Sequence, residues 1–382
     1  MNKDDRADLY WLYAIPGMGL KTAERLLDTF GSAAQIRKNA KRAAALVGGE
    51  AGRQALLACA KSDHAERTYE KILARGIRFT AFPLPDYPEK LRRIPDPPFG
   101  ITWMGSLPDE HLPAVAVVGA RQCSEYGRCL AAHFGADLGA AGVQVISGMA
   151  VGIDGIAQRN ALQAGGKSFA LLGGGVDICY PQGNRDLYDS LRENGGVIAE
   201  RPPGTEPLRQ YFPARNRLIS AFCDILLVIE ARQRSGTLIT VDMALEQGRD
   251  VFAVPGRVTD ALSVGCNNLI RQGAGIASSA EDLLYALGMK NSANHVEKDR
   301  KTRSKKTDQR RPGAFSPGAV LTDEEAAVFS ALDLQPRSLD EIAGIIAAQG
   351  RHIPLPLLME HLVDLCVKRV VREEAGRFLL RN

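Results

Sequence analysis

The sequence predicts an α/β protein with an extended Rossmann-like three-layer sandwich at its centre. Between residues 76 and 288, continuous apolar or β-branched runs alternate with amphipathic helical stretches. Such runs are typical of parallel strands that are buried on both faces, and their alternation with helices indicates right-handed βαβ units. The predicted strands are AVAVVG (114–119), VQVIS (143–147), SFALLG (168–173), GVIAE (196–200), DILLVIEA (224–231) and DVFAVPG (250–256).

The region before this centre, residues 1–75, is Ala-rich and is predicted to be helical. The run IPGMGLK, from Ile15 to Lys21, places a Gly-x-Gly turn between two helical stretches. This pattern resembles a helix-hairpin-helix, in which backbone amides and a nearby lysine bind phosphate. An alternative stays open, in which the segment is a small helical packing module and its glycines only turn the chain.

The region after the centre, residues 320–382, has the pattern of a winged helix. Three helices are predicted near 322–332, 338–348 and 354–368, and a hairpin follows with its turn at about Ala375-Gly376. The third helix reads DNA in many winged-helix proteins. Here it carries Glu360 and Asp364 and has cations only at its end, so a structural or protein-contact role is favoured.

Ser338 and Glu341 form a capping-box pattern that places the start of the second C-terminal helix. Residues 289–319 are predicted to be a flexible basic linker, because a polar segment with almost no apolar residues buries too little surface to become ordered. The cations of this linker are Lys298, Arg300, Lys301, Arg303, Lys305, Lys306, Arg310 and Arg311.

Length and composition indicate a cytoplasmic protein of two or three domains. The chain has 382 residues, a formal net charge of +4 and a pI of about 8.6, which permits a polyanionic partner without requiring one. Its seven cysteines are scattered and none forms a CxxC pair, so neither a disulfide framework nor a zinc site is expected. No run of 18 apolar residues or signal-peptide pattern occurs, so no membrane span is expected.

Glycine, hydroxyl and basic residues concentrate in the loops next to the predicted strands. In open α/β sheets ligands bind beyond the carboxyl ends of the strands, and free N–H groups at helix N-termini favour anions. These loops therefore predict an anion site, although glycines that serve turn geometry alone are the alternative for any single loop. The candidate residues are Gly119, Arg121, Ser147, Gly148, Lys167, Gly174, Ser235, Gly236 and Thr237.

A second candidate site is the run FPARNR, which places Arg215, Asn216 and Arg217 within one helical turn. Guanidinium groups suit phosphate because their planar fork binds two oxygens at once. The alternative is that these arginines pair with Glu200 or Glu230. Tyr211 and Phe212, just before them, are candidates for base stacking, with core packing favoured for Phe212.

Together these segments resemble the DprA (Smf) family of DNA-processing proteins. The resemblance covers about residues 115–275, in the order and spacing of the family. The matching stretches are VVGARQCSEYG, SGMAVGIDGIAQRNAL, GGKSFALLGGGVDICYP, ERPPGTEP, FPARNRLISAFCDILLVIEARQRSGTLIT, VFAVPG and GCNNLIRQGA.

The resemblance implies a cytosolic bacterial recombination mediator that binds single-stranded DNA, protects incoming DNA, forms a homodimer and helps load the RecA recombinase during natural transformation. It also implies an N-terminal SAM-like domain. The positions that fall in the family's DNA pocket or on its FPxRNR signature are Gly119, Arg121, Ser147, Gly148, Lys167, Arg215, Asn216 and Arg217.

The chain departs from the family pattern at several positions. Val151 and Asp242 stand where the family usually has arginine, so the basic groove is expected to be narrower. Gln158 stands where the family usually has histidine, and Ser168 replaces threonine.

An enzymatic function is not expected, and neither a cofactor nor a metal ion is predicted. The alternative function is a nucleotide-processing hydrolase of the lysine-decarboxylase-like Rossmann group. That group uses a PGGxGTxxE signature, and the counterpart here, RSGTLITVD, lacks a glutamate at that spacing. A nicotinamide dehydrogenase is disfavoured because the first turn is Gly-Ala-Arg rather than GxGxxG.

Overall fold

The computed structural model describes residues 3–60, 64–289, 322–333, 336–351, 353–368, 370–374 and 377–380. The chain divides into two compact units, Met1–Cys123 with Leu130–Lys290 and Ser124–Cys129 with Asn291–Asn382. Apart from Met289, the predicted basic linker at 289–319 lies outside the described residues. The predicted hairpin turn at Ala375-Gly376 also lies outside them.

One nine-stranded sheet runs through the first unit, with the strand order β1-β2-β6-β5-β4-β3-β7-β8-β9. Neighbouring strands from β6 to β9 in this order are parallel, whereas β1 and β2 add an antiparallel edge. In chain order the strands are β1 (Arg78–Ala81), β2 (Gly100–Gly105), β3 (Ala114–Val118), β4 (Gln144–Ser147), β5 (Ser168–Gly175), β6 (Gly195–Arg201), β7 (Ile225–Val228), β8 (Asp250–Ala253) and β9 (Gly275–Ile276).

The predicted strands are confirmed as β3 to β8, and the other three strands were not predicted. β9 has only two residues, and β1 (RFTA) and β2 (GITWMG) lack the continuous apolar run from which the other strands were predicted. In the structure β1 pairs with β2, and Phe79 lies opposite Thr102.

Helices cover both faces of the sheet. Up to residue 289 they are α1 (Lys3–Tyr13), α2 (Leu20–Phe30), α3 (Ala33–Lys38), α4 (Ala40–Ala44), α5 (Glu50–Ala58), α6 (His64–Ala74), α7 (Glu89–Arg92), α8 (Glu125–Ala140), α9 (Ile153–Gln163), α10 (Arg185–Asn194), α11 (Tyr211–Phe222), α12 (Gly236–Glu246), α13 (Val264–Arg271) and α14 (Ala280–Ala286). A short 3-10 helix, Gln182–Asn184, precedes α10.

The side chains of β5 show why a layer of helices lies on each face. Phe169 and Leu171 pack in a core with residues of α7, α11, α12 and α13. Ala170 and Leu172, which point the other way, pack with α10 and the N-terminal helices. Because successive side chains of a strand alternate between faces, a strand that is apolar at every position must be covered twice. The predicted three-layer arrangement is therefore confirmed for the sheet.

The N-terminal helices share a core with this sheet. The ring of Phe79 in β1 lies 5.2 Å from that of Tyr10 and 5.1 Å from that of Tyr13, both in α1. The predicted boundary at residue 75 thus marks a change from helix to strand, without a gap in the core. The Gly-x-Gly turn lies between α1 and α2, and Gly17 has a φ of 77° there. The SAM-like assignment and the phosphate-binding role of this turn stay predictions.

The second unit contains three helices and a two-stranded antiparallel sheet. The helices are α15 (Asp323–Ser330), α16 (Leu339–Ala348) and α17 (Leu355–Val367), and the strands are β10 (Val371–Glu374) and β11 (Arg377–Leu380). The predicted capping box of Ser338 and Glu341 begins α16. α17 exposes Glu360 and Asp364, as expected from the sequence. The winged-helix assignment stays a prediction.

No disulfide joins any of the seven cysteines, all of which lie among the described residues. Within the described ranges, no helix is both long enough and apolar enough to cross a lipid bilayer.

Candidate nucleic-acid interface

A cavity of about 650 Å³ opens where the strands of the first unit reach their carboxyl ends. Its walls come from the loops after β3, β4, β5, β6 and β7 and from the first turns of α11 and α12. We call this cavity the strand-end pocket. The predicted candidates that line it are Gly119, Arg121, Arg215, Asn216, Ser235, Gly236 and Thr237.

Gly119 lets two elements approach closely at the wall of the pocket. A Cβ atom at this position would lie 2.7 Å from a side-chain carbon of Ile153, the first residue of α9. The carbonyl oxygen of Gly119 accepts a hydrogen bond of 3.3 Å from the hydroxyl of Thr237. The glycine after β3 is therefore required by packing between β3, α9 and α12, and it places Arg121 at the edge of the pocket.

The N-terminus of α12 forms the opposite wall. Ser235 is the N-cap residue, and its side chain accepts a hydrogen bond of 3.2 Å from the backbone N–H of Thr237. The same hydroxyl donates to the Thr237 hydroxyl at 3.0 Å. Free N–H groups and the positive end of a helix dipole favour an anion at such a position.

Aromatic rings and cations form the mouth of the pocket. The guanidinium carbon of Arg121 lies 5.6 Å from the ring centre of Phe212. The ring centre of Tyr180 lies 5.5 Å from that of Phe212, and the Tyr180 side chain is 44% exposed. Bases stack on such rings, and the arrangement tolerates any base because every base has a π face. Tyr211 lies outside this group and packs instead under Arg201, at 4.4 Å.

Two pocket residues were missed by reasoning from the sequence. Arg209 is exposed on the pocket wall, and it forms no ion pair with any residue that the structure describes. Tyr180 follows β5 within the run DICYP. The available signal was the position of an aromatic residue and a cation in the loops that follow β5 and β6.

Arg215 forms the floor of the pocket, and its guanidinium already binds groups of the protein. It is 7% exposed, and its Nη1 donates to the carbonyl oxygens of Gly148, at 3.0 Å, and of Leu171. Burial lowers the pKa of Arg215 to about 10, although the nearby carboxylate of Asp154 opposes this shift. Arg215 therefore remains charged at neutral pH, and its positive charge lies near the carboxylate of Asp154 inside the fold.

Asp154 is buried at the wall of the pocket, and its carboxylate binds the loop after β4. Its side chain accepts a hydrogen bond of 3.1 Å from the backbone N–H of Gly148. Burial raises the pKa of Asp154, while Arg215 and the hydrogen bonds to Ser147, Gly148 and Ala150 lower it. The acid therefore serves to hold the loop after β4.

Ser147 and Gly148 support the pocket from behind. The Ser147 hydroxyl donates to the carbonyl oxygen of Val117 at 2.6 Å. A Cβ atom on Gly148 would lie 2.8 Å from the nitrogens of Arg215. These two residues were predicted to contact DNA, but they do not line the pocket. The Ser147 hydroxyl binds Val117 instead, and the absence of a side chain on Gly148 makes room for Arg215.

The next residue, Met149, has a φ of 55°, which is rare for a residue with a side chain. Its N–H donates to Oε1 of Gln158 at 3.1 Å, and its carbonyl oxygen accepts from Nδ2 of Asn184 at 3.0 Å. Gln158, at the position where the family usually has histidine, thus fixes this strained loop from inside the protein.

Three predicted site residues lie away from the pocket. Lys167 is exposed just before β5, at the amino end of the strand, and the eight residues of β5 span roughly 25 Å. The prediction that Lys167 and Arg121 share one groove is therefore wrong, because they lie at opposite edges of the sheet. Gly174 packs against the backbone of Thr205 and Pro207, so it makes room for a neighbouring loop rather than for a ligand.

Arg217 is the third, and here the alternative interpretation is correct. Its guanidinium binds both carboxylate oxygens of Glu200, at 2.7 and 2.9 Å, and Oδ2 of Asp96 at 3.1 Å. Although burial opposes it, the carboxylates of Glu200 and Asp96 raise the pKa of Arg217. The side chain is 11% exposed, so it links elements of the fold instead of facing the pocket.

The structure defines a Rossmann-like α/β protein with a cationic and aromatic pocket at the carboxyl ends of its parallel strands. In the part of the chain that the structure describes, no group of three His, Cys, Asp or Glu side chains is placed to hold a metal ion. Residues 78–288, more than half of the chain, match the sequence profile of the DNA recombination-mediator protein A family. The chain belongs to this family.

Individual relatives agree with this assignment. The DNA processing protein DprA of Streptococcus pneumoniae is 43% identical over 209 residues, which cover 54% of this chain and 74% of that protein. The X-ray structure of the same protein superposes with a TM-score of 0.60 at 33% identity, covering 72% of this chain and 97% of that chain. These findings confirm the resemblance that the motifs indicated.

A second solved structure is DNA processing protein A from Helicobacter pylori, whose study describes its single-stranded DNA binding mode. It superposes with a TM-score of 0.50 at 26% identity and covers 55% of this chain and 95% of that chain. The comparisons therefore do not favour the alternative hydrolase interpretation.

Proposed function

We propose that this chain binds single-stranded DNA in the strand-end pocket and acts there as a recombination mediator. The observation that carries the proposal is the mouth of the pocket, where Arg121 lies over the ring of Phe212 beside Tyr180, together with the exposed cation Arg209 on the pocket wall. Cations that follow a phosphate backbone, beside aromatic rings that stack on bases, are the usual means of binding a single strand without sequence preference. The related H. pylori protein is described as binding single-stranded DNA, which supports the same ligand for this chain.

A single strand suits this geometry better than a duplex. The rings of Tyr180 and Phe212 lie at a pocket rather than on a flat surface, so a base must leave its stack to reach them. In a duplex each base is paired and stacked, and extruding it costs a few kcal/mol. We therefore expect tighter binding to a single strand and little dependence on sequence.

The proposed role is binding without catalysis. Asp154 is the one acid among the residues that line the described pocket, and its oxygen already accepts the Gly148 N–H beside the charge of Arg215. A carboxylate that is held in this way is poorly placed to act as a general base on a ligand in the open part of the pocket. A nucleotide-release assay with single-stranded DNA tests this part of the proposal, since product formation would contradict it.

The wider cellular role follows from family membership. We propose that the protein acts in the bacterial cytoplasm as a homodimer, protects incoming single-stranded DNA and helps load RecA during natural transformation. Light scattering at micromolar concentration checks the dimer, since a monomer mass would refute it. Strand-exchange assays with RecA check the loading activity, since the expected result is faster RecA filament formation on DNA covered by a single-strand binding protein.

The binding site itself is tested by replacing Arg121 with alanine. Charge-assisted contacts to phosphate contribute about 1.5–3 kcal/mol each, so Arg121→Ala should weaken binding of a labelled thymidine oligonucleotide by roughly ten- to a hundredfold. The measurement is fluorescence anisotropy, with a thermal melt to confirm folding. Because Arg121 is exposed, the variant should have the same melting temperature as the wild type.

Lys167→Ala is the matched control, because it removes the same charge at the opposite edge of the sheet. Its affinity for the oligonucleotide should stay close to that of the wild type. Equal losses in the two variants would show that net charge governs binding. No loss in Arg121→Ala would show that DNA binds elsewhere.

A further inference from the structure

Two loops frame one side of the strand-end pocket. The first, residues 176–181, follows β5 and carries Tyr180. The second, residues 202–210, follows β6 and carries Arg209. Neither loop has regular secondary structure, so the positions of Tyr180 and Arg209 depend on what holds the two loops together.

Asp177 provides a direct link between these loops. Its Oδ1 accepts a hydrogen bond of 2.8 Å from the backbone N–H of Gly204. Gly204 has a φ of 82°, which a residue with a side chain rarely adopts. The carboxylate therefore holds the turn at which the second loop changes direction, five residues before Arg209.

The end of β5 is shaped to accept this contact. The N–H of Gly175 donates to the carbonyl oxygen of Thr205 at 2.7 Å. A Cβ atom on Gly175 would lie 2.8 Å from the carbonyl oxygen of Pro202 and 2.9 Å from Oδ1 of Asp177. Close packing of Gly175 thus brings the second loop within reach of the Asp177 carboxylate.

The other oxygen of Asp177 binds the N-terminal helical region. Its Oδ2 lies 2.6 Å from Nη2 of Arg75, the residue just after α6. The Asp177 side chain is 10% exposed, whereas that of Arg75 is 55% exposed. One carboxylate oxygen thus holds the pocket loop and the other is held by a cation from outside the sheet, which fixes the orientation of the group.

We infer that Asp177 is a positioning residue for the proposed DNA site. It places Arg209 against the DNA backbone through Gly204, and Arg75 anchors it to the N-terminal helices. This inference rests on the proposed function. It also explains how helices that do not line the described pocket contribute to its shape.

The sign of the expected effect separates positioning from simple electrostatics. Asp177 is an acid near a proposed site for a polyanion, so removing its charge alone should strengthen DNA binding. If Asp177 positions Arg209, its removal should weaken binding instead. A loss of affinity in Asp177→Ala therefore cannot come from the change in net charge.

The test uses the full chain and a labelled thymidine oligonucleotide in anisotropy titrations at several salt concentrations. Arg209→Ala should lose roughly tenfold in affinity, and the slope of log K against log salt should fall by about 0.7 as one phosphate contact is lost. Asp177→Ala should reproduce both changes. The double variant should bind within about twofold of Arg209→Ala, because the two residues act on one contact.

Conservative variants separate positioning from unfolding. Asp177→Asn keeps an oxygen for the Gly204 N–H and should retain most of the affinity. Arg75→Ala leaves that hydrogen bond intact and should lose about two- to fivefold, as expected for a half-exposed ion pair. Asp189→Ala is the matched control, since it also removes one negative charge, from an ion pair with Arg185 on α10. It should not weaken binding.

The outcomes distinguish this inference from the proposed function. If Arg209→Ala and Arg121→Ala both bind like the wild type, the pocket is not the DNA site and the proposed function fails. If Arg209→Ala loses affinity while folded Asp177→Ala and Asp177→Asn bind like the wild type or better, the site stands and the positioning role is overturned. Additive losses in the double variant would also overturn it.

Discussion

The loop after β3 and helix α11 both carry arginines at or near the strand-end pocket, and the two regions use them differently. The loop after β3 presents Arg121, which is exposed and forms no ion pair with a described residue. The first turns of α11 carry Arg215 and Arg217, which are 7% and 11% exposed. From the sequence all three are candidate phosphate-binding cations, and only the structure separates them.

The difference follows from the partners within reach of each guanidinium. Arg215 is buried against the carbonyl oxygens of Gly148 and Leu171 and near Asp154, so its Nη1 donors are already occupied. Arg121 is exposed and lies against the ring of Phe212, and it forms no ion pair with a described residue. A guanidinium can bind a phosphate only if it does not have to give up a buried partner. The comparison therefore predicts that replacing Arg121 impairs DNA binding, whereas replacing Arg215 or Arg217 impairs stability.

The largest effect should come from Arg215→Ala. Removing the buried guanidinium leaves the carbonyl oxygens of Gly148 and Leu171 without a donor and Asp154 without a nearby positive charge, a loss that typically costs about 3–5 kcal/mol. The melting temperature should fall by on the order of 10 °C, as measured by thermal denaturation without DNA. Arg215→Lys, which keeps the charge but replaces the planar guanidinium by a smaller ammonium, should recover part of the loss. A variant that melts like the wild type and fails only in DNA binding would break the comparison.

A smaller effect is expected for Arg217→Ala. The side chain binds Glu200 through two hydrogen bonds and Asp96 through one, and hydrogen bonds to charged groups contribute about 1.5–3 kcal/mol. Stability in urea should fall by about that amount, while affinity for a single-stranded oligonucleotide stays unchanged. Asp96 is 80% exposed, so Asp96→Ala is a control that should cost much less. Loss of affinity without loss of stability would return Arg217 to the DNA site.

The central sheet could be predicted from the sequence because its strands are apolar at every position. A run such as AVAVV has no exposed face, and only a strand between two helical layers accommodates it. Strands β1, β2 and β9 could not be predicted in the same way. β9 has only two residues, and β1 and β2 mix polar residues or glycine with the apolar ones, so none of the three has the continuous apolar run.

The candidate site was predicted in outline, because strand-end loops must converge at one edge of a parallel sheet. The error at Lys167 arose because the turn before β5 was grouped with the turns after the other strands. Its chemistry, Gly-Gly-Lys-Ser, suits an anion site, but direction along the strand decides on which edge it lies. The glycines at 148 and 174 were also misread, since each makes room for a protein group.

Burial could not be read from the sequence at the FPARNR run. Arg215 and Arg217 are two residues apart, and a helix places such positions on different faces. One face of α11 meets the loop after β4 and the other meets Glu200 at the end of β6. The ends of two different strands thus decide the role of each arginine, and neither is encoded in the local pattern.

The smallest effect is the pH dependence of the folding stability that Asp154 contributes. Its sign tests whether Asp154, like Arg215, serves stability rather than DNA binding. Burial raises the pKa of Asp154 in the folded chain above its ordinary value of 3.8. Between these two values the folded chain binds a proton that the unfolded chain has lost. Wild-type stability relative to Asp154→Asn should therefore be highest below about pH 4 and fall as pH rises through the folded pKa, by about 1.4 kcal/mol per pH unit within that window. Asp186→Asn supplies a control of opposite sign, because a hydrogen bond from Arg159 lowers the pKa of Asp186. Relative to that variant, the wild type should gain stability as pH rises. Urea denaturation of the three proteins across this range measures both differences. A wild-type advantage over Asp154→Asn that grows with pH would mean that Arg215 holds Asp154 ionised more strongly than burial opposes it.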